Sequence, residues 1–346
     1  MADLLKADHG TDAADHGAEA ADHGAEAAPS APRRRGLRSA RLAAERVAAS
    51  AAVLWGAVTA TFLLLHVMPG GTADVLLARS TVGPQVRARI SAEYRLDDPL
   101  TTQYLAYLGR TLRGDFGDSY VLRRPVWDVI GSQLPATGLL LAATMVTTVV
   151  LAVPLAVVSA GRNRWVRSAF AAAEALVVAL PPFWLGLLLL TVFSFGLGWF
   201  PAIGSSGPAG LVLPTLALAA APTALVTRVL REGLLRALDE PFVVTARSRG
   251  VGEIALRVRH VLRHALIPAT TVLGWIAGSL IGGAVVIEIV FSRQGVGRLV
   301  LSAVQNRDMP VVTAVVLLAA LVFVVVTVAV DLLGLLIDPR TRDTRR

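Results

Sequence analysis

The chain has no cysteine and a single lysine, and each absence removes classes of function. Without cysteine it can form no disulfide and offers no thiolate metal ligand or cysteine nucleophile. The lysine is Lys6, and no GxxxxGK segment occurs. Because a P-loop needs such a lysine to reach the β- and γ-phosphates, any ATP used must be bound by another chain. HExxH and GxSxG are also missing, so the sequence does not support a hydrolytic enzyme.

Apolar residues are abundant and lie in long runs. They make up 54% of the chain, and the mean hydropathy is +0.61. The runs are longer than the roughly 20 residues that a helix needs to cross a bilayer. The sequence therefore predicts an all-α integral membrane protein with six transmembrane helices, at about 47–67, 136–159, 168–197, 210–230, 268–290 and 311–336.

Positive charge is concentrated between these runs and predicts their orientation. The net charge is +8, but the arginines alternate with spans, which is typical of membrane topology and not of nucleic-acid binding. The 228–267 loop holds eight arginines and the 198–209 loop none. We therefore expect a multi-pass protein of the plasma or inner membrane, with the 228–267 loop and both termini cytoplasmic.

Four regions follow from this pattern. Residues 1–44 include the repeat ADHGTDAADHGAEAADHGAEA (7–27) and are expected to form a disordered cytosolic tail. Residues 45–135 comprise the first span and an outer segment, 136–337 a core with five spans, and 338–346 a cytosolic C-terminus. Within the outer segment, helical spacing in VRARISAEYRL and TTQYLAYLGRTLRGDFG predicts short helices, with a turn at 114–117.

The segment VVTARSRGVGEIALRVRHVLRHALIPATTVLG (243–274) is a densely cationic loop between the fourth and fifth runs. Asp239 or Glu240 before Pro241 can cap a short helix that extends through Arg249. Gly250 can then supply a turn with positive φ. The sequence predicts a helix–turn–helix elbow at this position.

From residue 252 onward the loop has the spacing of an amphipathic interfacial helix. Its predicted apolar face consists of Ile254, Val258, Val261, Leu262 and Ala265. Its predicted polar face consists of Glu253, Arg257, His260 and His264. We expect Pro268 to begin the fifth span, where its missing N–H has no effect. Anchoring to the bilayer explains such a helix equally well.

The same loop resembles the EAA loop of binding-protein-dependent ABC importer permeases, in its dipeptide/oligopeptide (peptide/nickel) form. Ala246 matches the second alanine of the motif, Gly250 its glycine, and Leu266-Ile267-Pro268 its closing segment. Val244 and Thr245 replace the glutamate and first alanine of the general motif. Further blocks resemble the family in the right order from about residue 45 to the end: FLLLHVMPGG, RLDDPLTTQYLAYLGRTLRGDFGDSY, LPPFWLGLLLLTVFSFGLGWFPAIG, GGAVVIEIVFSRQGVGRLV, RDMPVV and DLLGLLIDPR.

The resemblance implies the membrane domain of a type I ABC importer and a non-catalytic subunit without a cofactor. It implies three kinds of protein partner besides the lipid bilayer: a second homologous permease, two cytosolic ATPase subunits, and an extracytoplasmic substrate-binding protein. In the family this loop sits in a groove of the ATPase. The coupling residues that the resemblance implies here are Thr245, Ala246, Arg247, Gly250 and Pro268. Arg257, Arg259 and Arg263 are expected to meet either anionic headgroups or the ATPase.

Residues for the substrate path are suggested by kinks and charges in the spans. Pro181 and Pro182 interrupt span three, and Phe183 and Trp184 lie beside the kink. Glu288, near the outer end of span five, faces either this path or a helix-packing contact. Other residues expected in packing or at interfaces are Glu174, Asp331, Gly278, Gly282 and Gly283. No third ligand accompanies His260 and His264, so we expect no metal site.

The outer segment has two open interpretations. By resemblance it forms part of the surface for the binding protein, with a positive rim of Arg110, Arg113, Arg123 and Arg124. Alternatively it is a lid that seals the outer mouth of the helices. For the whole chain, the alternative function is a stand-alone secondary transporter or channel, although neither mid-membrane charge nor an inverted repeat is seen. Peptides are the expected substrates, ahead of nickel chelates, glutathione or other small solutes.

Overall fold

The computed structural model describes residues 33–67, 98–161, 163–202, 207–306 and 308–337. The chain divides into two units, residues 1–48 and 49–346. Ten helices are described: α1 Arg33–Val67, α2 Leu100–Leu112, α3 Val126–Ser159, α4 Arg164–Ala179, α5 Pro182–Gly196, α6 Ala209–Leu238, α7 Pro241–Ser248, α8 Glu253–Val290, α9 Val296–Gln305 and α10 Met309–Ile337. The last turns of α5 (Leu190–Gly196) and a turn of α8 (Leu256–Val261) are π-helical.

Five of the described helices are long and apolar enough to cross a membrane: α1, α3, α6, α8 and α10. The bent pair α4 and α5 makes the sixth when it is counted as one broken span. The all-α fold with six spans is therefore confirmed. The observed helices extend beyond the predicted spans; α3, for example, begins at Val126 and not near residue 136.

Helix α1 begins at Arg33, so residues 33–44 are helical although they were expected to belong to a disordered tail. This part is rich in Ala, Leu, Arg and Glu, which favour helix. The repeat at 7–27, the VRARISAEYRL segment and the C-terminal 338–346 lie outside the described residues.

Helix α6 is the centre of the second unit. It contacts α3, α4, α5 and α8, and half of its most apolar segment is buried inside the chain. Close approach is allowed by small residues on α8: a Cβ on Gly283 would lie 2.8 Å from Leu218 of α6, and one on Gly278 would lie 3.0 Å from Phe323 of α10. Gly282 faces open space instead. Two of the three predicted glycine contacts are thus intramolecular.

The third predicted span breaks at Leu180 and Pro181, where the axis turns by 99°. Both residues precede a proline and adopt extended backbone, with ψ of 126° and 136°. A residue before proline is disfavoured in the α region, so two consecutive prolines end α4. Pro182 then starts α5 at a position that tolerates proline. The expected kink is in fact a full break.

Pro268 does not begin a helix, contrary to the prediction. It lies inside α8, which runs without interruption from Glu253 to Val290. A proline in a helix interior removes one hydrogen bond, and neighbouring helices compensate for this loss in membrane proteins. The predicted separation into an interfacial helix and a fifth span is therefore wrong.

Candidate functional site

Helix α7 carries most of the predicted coupling residues at the surface. Val243 is fully buried and fixes one side of the helix to the core, whereas Val244 is 69% exposed. Thr245 and Arg247 are exposed, and Ala246 is half-buried against the core. Glu240 precedes the helix with extended backbone but makes no side-chain cap. The structure thus presents one face of this short helix outward, with Val244, Thr245 and Arg247 exposed.

Gly250 ends this helix in the way that the sequence predicted. Its φ is +77°, a left-handed backbone conformation that is free of strain for glycine and costs free energy for any other residue. The Gly250 N–H donates to the Arg247 carbonyl (2.9 Å), and the Val251 N–H donates to the Ala246 carbonyl (3.2 Å). These two bonds are the Schellman pattern that satisfies the last carbonyls of a helix. Pro268, the fifth predicted coupling residue, lies in a different helix, α8.

The predicted amphipathic face of 253–265 is rotated in the structure. Ile254 and Val258 are exposed, while Val261 and Ala265 are fully buried. Arg257, which we had placed on the polar face, is buried. Arg257 lies beside the buried Leu256 at the start of the π-helical turn Leu256–Val261, which shifts the faces that follow it. The burial of Arg257 within the chain does not fit the expected contact with headgroups or an ATPase.

The Arg257 guanidinium lies between α3 and the start of α8. Its Nη1 donates to the Val157 carbonyl in the last turn of α3 (3.2 Å), and its Nη2 donates to Glu253 (3.4 Å). Glu253 also accepts from Arg247 Nε of α7 at 2.9 Å. Hydrogen bonds thus join α7 to the end of α3, an arrangement that sequence spacing did not reveal.

The break at Pro181 exposes the residues that were proposed for the substrate path. Phe183 and Trp184 are about half exposed at the start of α5. The opposite side of α5 packs tightly: a Cβ on Gly186 would lie 3.1 Å from the Phe291 ring and 3.7 Å from Ala217 of α6. The aromatic pair is therefore free of the core of this chain.

Glu288 is fully buried near the C-terminal end of α8 and binds the N-terminus of α9. Its carboxylate accepts from the Gly297 N–H (2.8 Å), the Arg298 N–H (3.3 Å) and the Thr137 hydroxyl (2.5 Å). The N–H groups of a first helical turn lack partners in the helix and favour a negative charge. Within this chain Glu288 makes a contact between helices α3, α8 and α9, and its role in a substrate path stays a prediction.

A second carboxylate ties the outer segment to α10. Asp308 accepts from the Ser119 hydroxyl and from the backbone N–H groups of Tyr120 (3.1 Å) and Val121 (3.4 Å). The predicted turn is present, since Gly114 and Gly117 have φ of +71° and +68°. Arg123 and Arg124 are exposed just beyond it.

Glu174 makes a buried ion pair, of which the sequence indicated the acid but not its partner. Both of its oxygens accept from Arg231 of α6, one of them at 2.7 Å from Nη2, and both side chains are buried. Glu174 was expected to have a packing partner, but Arg231 stood among eight loop arginines with nothing to distinguish it. The side chain of Asp331 lies outside the described part of the chain.

Comparisons with known proteins agree with the loop motif. Residues 152–343 match the family described as "Binding-protein-dependent transport system inner membrane component". The glutathione transport system permease protein GsiC of Escherichia coli (strain K12) is 38% identical over 282 residues, covering 81% of this chain and 92% of the relative. The protein of the same name from Salmonella typhi is 37% identical over the same length.

A solved amino acid ABC transporter with histidines superposes with a TM-score of 0.45 and 18% identity, covering 62% of this chain and 94% of that chain. The family match spans more than half of the chain, and the relatives are matched over nearly their whole length. The chain therefore belongs to the binding-protein-dependent transport system inner membrane components: it is a multi-pass membrane permease subunit of an ABC importer in the peptide/nickel branch, a system that also comprises ATPase and substrate-binding components.

Proposed function

We propose that this non-catalytic subunit pairs with a second homologous permease and passes a peptide-like solute, with ATP hydrolysed by two partner ATPases that dock on α7. The observation that carries the proposal is the form of α7: its base is anchored by Val243, its outer face is exposed, and it ends at a left-handed glycine. A rigid helix with one open face transmits displacement of a bound partner as a rigid body. Both termini and α7 would then be cytoplasmic, as the charge pattern predicts.

Docking on α7 can be tested with a single cysteine, because the chain has none of its own. Val244→Cys places a thiol on the exposed face, and we expect it to cross-link to the ATPase in the assembled complex. A cysteine at Ile254, which is 70% exposed on α8, is the matched comparison. Cross-linking from Ile254→Cys with none from Val244→Cys would move the docking surface to α8.

The role of Gly250 is tested by two valine variants in the same loop. Gly250 has φ of +77° and open space around it, so Gly250→Val strains the backbone without a clash. This strain amounts to about 1–2 kcal/mol and would disrupt the end of α7. Gly252, with φ of −63° and equally open space, accepts valine without strain. We expect Gly250→Val to reduce ATPase co-purification and uptake, and Gly252→Val to preserve both; equal behaviour would remove Gly250 from coupling.

The substrate path is proposed to pass the break at Pro181–Pro182, beside Phe183 and Trp184. In an assembly of two permeases, exposed aromatic side chains next to a break in the span are suited to contact a passing solute. Trp184→Ala should lower uptake without changing ATPase binding. Trp275→Ala, at an exposed tryptophan on α8, serves as the control. Equal uptake in the two variants would place the path elsewhere.

The outer turn is proposed as part of the docking surface for the binding protein, with the lid as its alternative. The hydrogen bond from Ser119 to Asp308 holds the segment that follows the 114–117 turn, and the exposed Arg123 and Arg124 come directly after it. Charge reversal at both arginines should weaken binding at low salt and have less effect at high salt, because steering by exposed charges is screened. Arg167→Glu, at an exposed arginine of α4, is the control. Unchanged affinity at every ionic strength would favour the lid.

The proposed substrates are peptides, including glutathione, which is the solute named for both relatives. Proteoliposomes that contain the complete transporter should accumulate labelled glutathione or dipeptides in an ATP-dependent manner. Accumulation of a nickel chelate alone would assign the chain to the metal side of the branch.

A further inference from the structure

Glu253 lies at the junction between α7 and the cationic start of α8. One of its oxygens accepts from Arg247 Nε at 2.9 Å, and the other accepts from Arg257 Nη2 at 3.4 Å. The Arg247–Glu253 pair is about 40% exposed on both sides, whereas the Arg257 side chain is only 10% exposed. The Arg247–Glu253 contact is therefore at the surface, whereas the Glu253–Arg257 contact is largely buried on the arginine side.

The buried end of the contacts is the C-terminus of α3. The last carbonyls of a helix lack partners within the helix and carry a partial negative charge. The Ala156 and Val158 carbonyls accept from the Ala160 and Gly161 N–H groups. Arg257 supplies the donor for the Val157 carbonyl between them. The Arg257 guanidinium thus caps the C-terminus of α3, although Arg257 belongs to α8.

The Arg257 guanidinium packs closely against the end of α3. A Cβ on Gly161 would lie 3.7 Å from Arg257 Nη1 and 3.3 Å from the Val158 carbonyl. The buried Nε of Arg257 has no hydrogen-bond partner among the residues that the structure describes. A buried cation depends strongly on its few partners, because no water replaces a lost one. A displacement of Glu253 should therefore shift Arg257 and change its hydrogen bond to the Val157 carbonyl.

We propose that Arg257 is a positioning residue that carries displacement of α7 to span α3, through Arg247, Glu253 and the Val157 carbonyl. This relay rests on the proposed docking of the ATPase on α7. A docked ATPase removes water from the exposed Arg247–Glu253 pair, and lower local polarity strengthens an ion pair. The contact is loose in the free permease and firm in the complex, so that closure of the ATPases moves the inner end of α3 with α7.

The test measures solute transported per ATP hydrolysed by the whole transporter in proteoliposomes. Arg257→Gln removes the charge, and Glu253→Gln breaks the link at its exposed joint. We expect each variant to retain the ATPase and hydrolyse ATP while transport per ATP falls by about tenfold. Arg236→Gln, at an exposed arginine of α6, should leave the ratio unchanged. Because the joints are in series, the double variant should lose no more than either single one.

Two results would overturn the relay. The first is a normal ratio of transport to ATP hydrolysis in both Glu253→Gln and Arg257→Gln. The second is loss of Arg257→Gln from the membrane together with a normal ratio in Glu253→Gln, which would make Arg257 a purely structural clamp. The docking proposal is judged separately: if Val244→Cys does not cross-link to the ATPase in an otherwise unaltered complex, docking on α7 has failed, whatever the ratios are.

Discussion

The buried ion pair between Glu174 of α4 and Arg231 of α6 allows a prediction with a worked magnitude. The two side chains are only 10% and 6% exposed, and both carboxylate oxygens accept from the guanidinium. Removing one partner leaves an uncompensated buried charge, which costs about 3–5 kcal/mol. Replacing both by apolar side chains of similar size removes both charges and is neutral or even stabilising.

The measurement is a double-mutant cycle of Glu174→Leu, Arg231→Met and the double variant. Unfolding in mixed detergent micelles can be followed by tryptophan fluorescence, since the chain has six tryptophans. We expect each single variant to lose about 3–5 kcal/mol and the double variant to lose little, so that the coupling free energy is large.

The control pair is Arg228–Glu232, which lies on the same helix and is more than half exposed. Exposed pairs at this spacing contribute about 0.3–0.5 kcal/mol before screening by salt, so its single variants should differ little from the unaltered protein. The reasoning is refuted if Glu174→Leu costs no more than Glu232→Leu, or if the double variant loses the sum of the two single losses.

Three further predictions concern packing contacts and buried polar groups. Gly295→Ala should destabilise by about 1–3 kcal/mol, because its Cβ would overlap the Glu288 carboxylate; Gly138→Ala, with open space, should not, and equal unfolding midpoints would contradict this. Burial raises the pKa of Tyr107 above 10, so the stability it contributes is lost as the pH rises through 10 and above. Melting curves of Tyr107→Phe should therefore converge on those of the unaltered protein or exceed them above pH 10, and a constant difference would refute this. Thr148→Val should stabilise by about 1 kcal/mol, because its buried hydroxyl has no partner among the described residues, whereas Thr61→Val loses a bond to the Ala57 carbonyl; a loss in both would be the opposite result.

The sequence by itself determined the class of the protein and the turn at Gly250 that ends α7. Long apolar runs specify spanning helices because a backbone in lipid must satisfy its own hydrogen bonds. The double proline at 181–182 predicted an interruption of the third span, because a residue before proline is disfavoured in the α region, although the interruption is a full break and not the expected kink. Gly250 was identified as a left-handed residue from its place after a short helix. Each of these properties depends on a few neighbouring residues.

Tertiary structure alone decided which charges are buried and what they contact. Arg257 was placed on a polar face by its α-helical spacing, but its side chain is buried and donates to the Val157 carbonyl. The sequence did not distinguish Arg231 from the other arginines of the 228–267 loop, whereas the structure places Glu174 of α4 beside it. Pro268 continued a helix that local rules would have begun there. These partners lie up to 100 residues apart, and their pairing depends on helix packing, which the periodicity of a single segment does not encode.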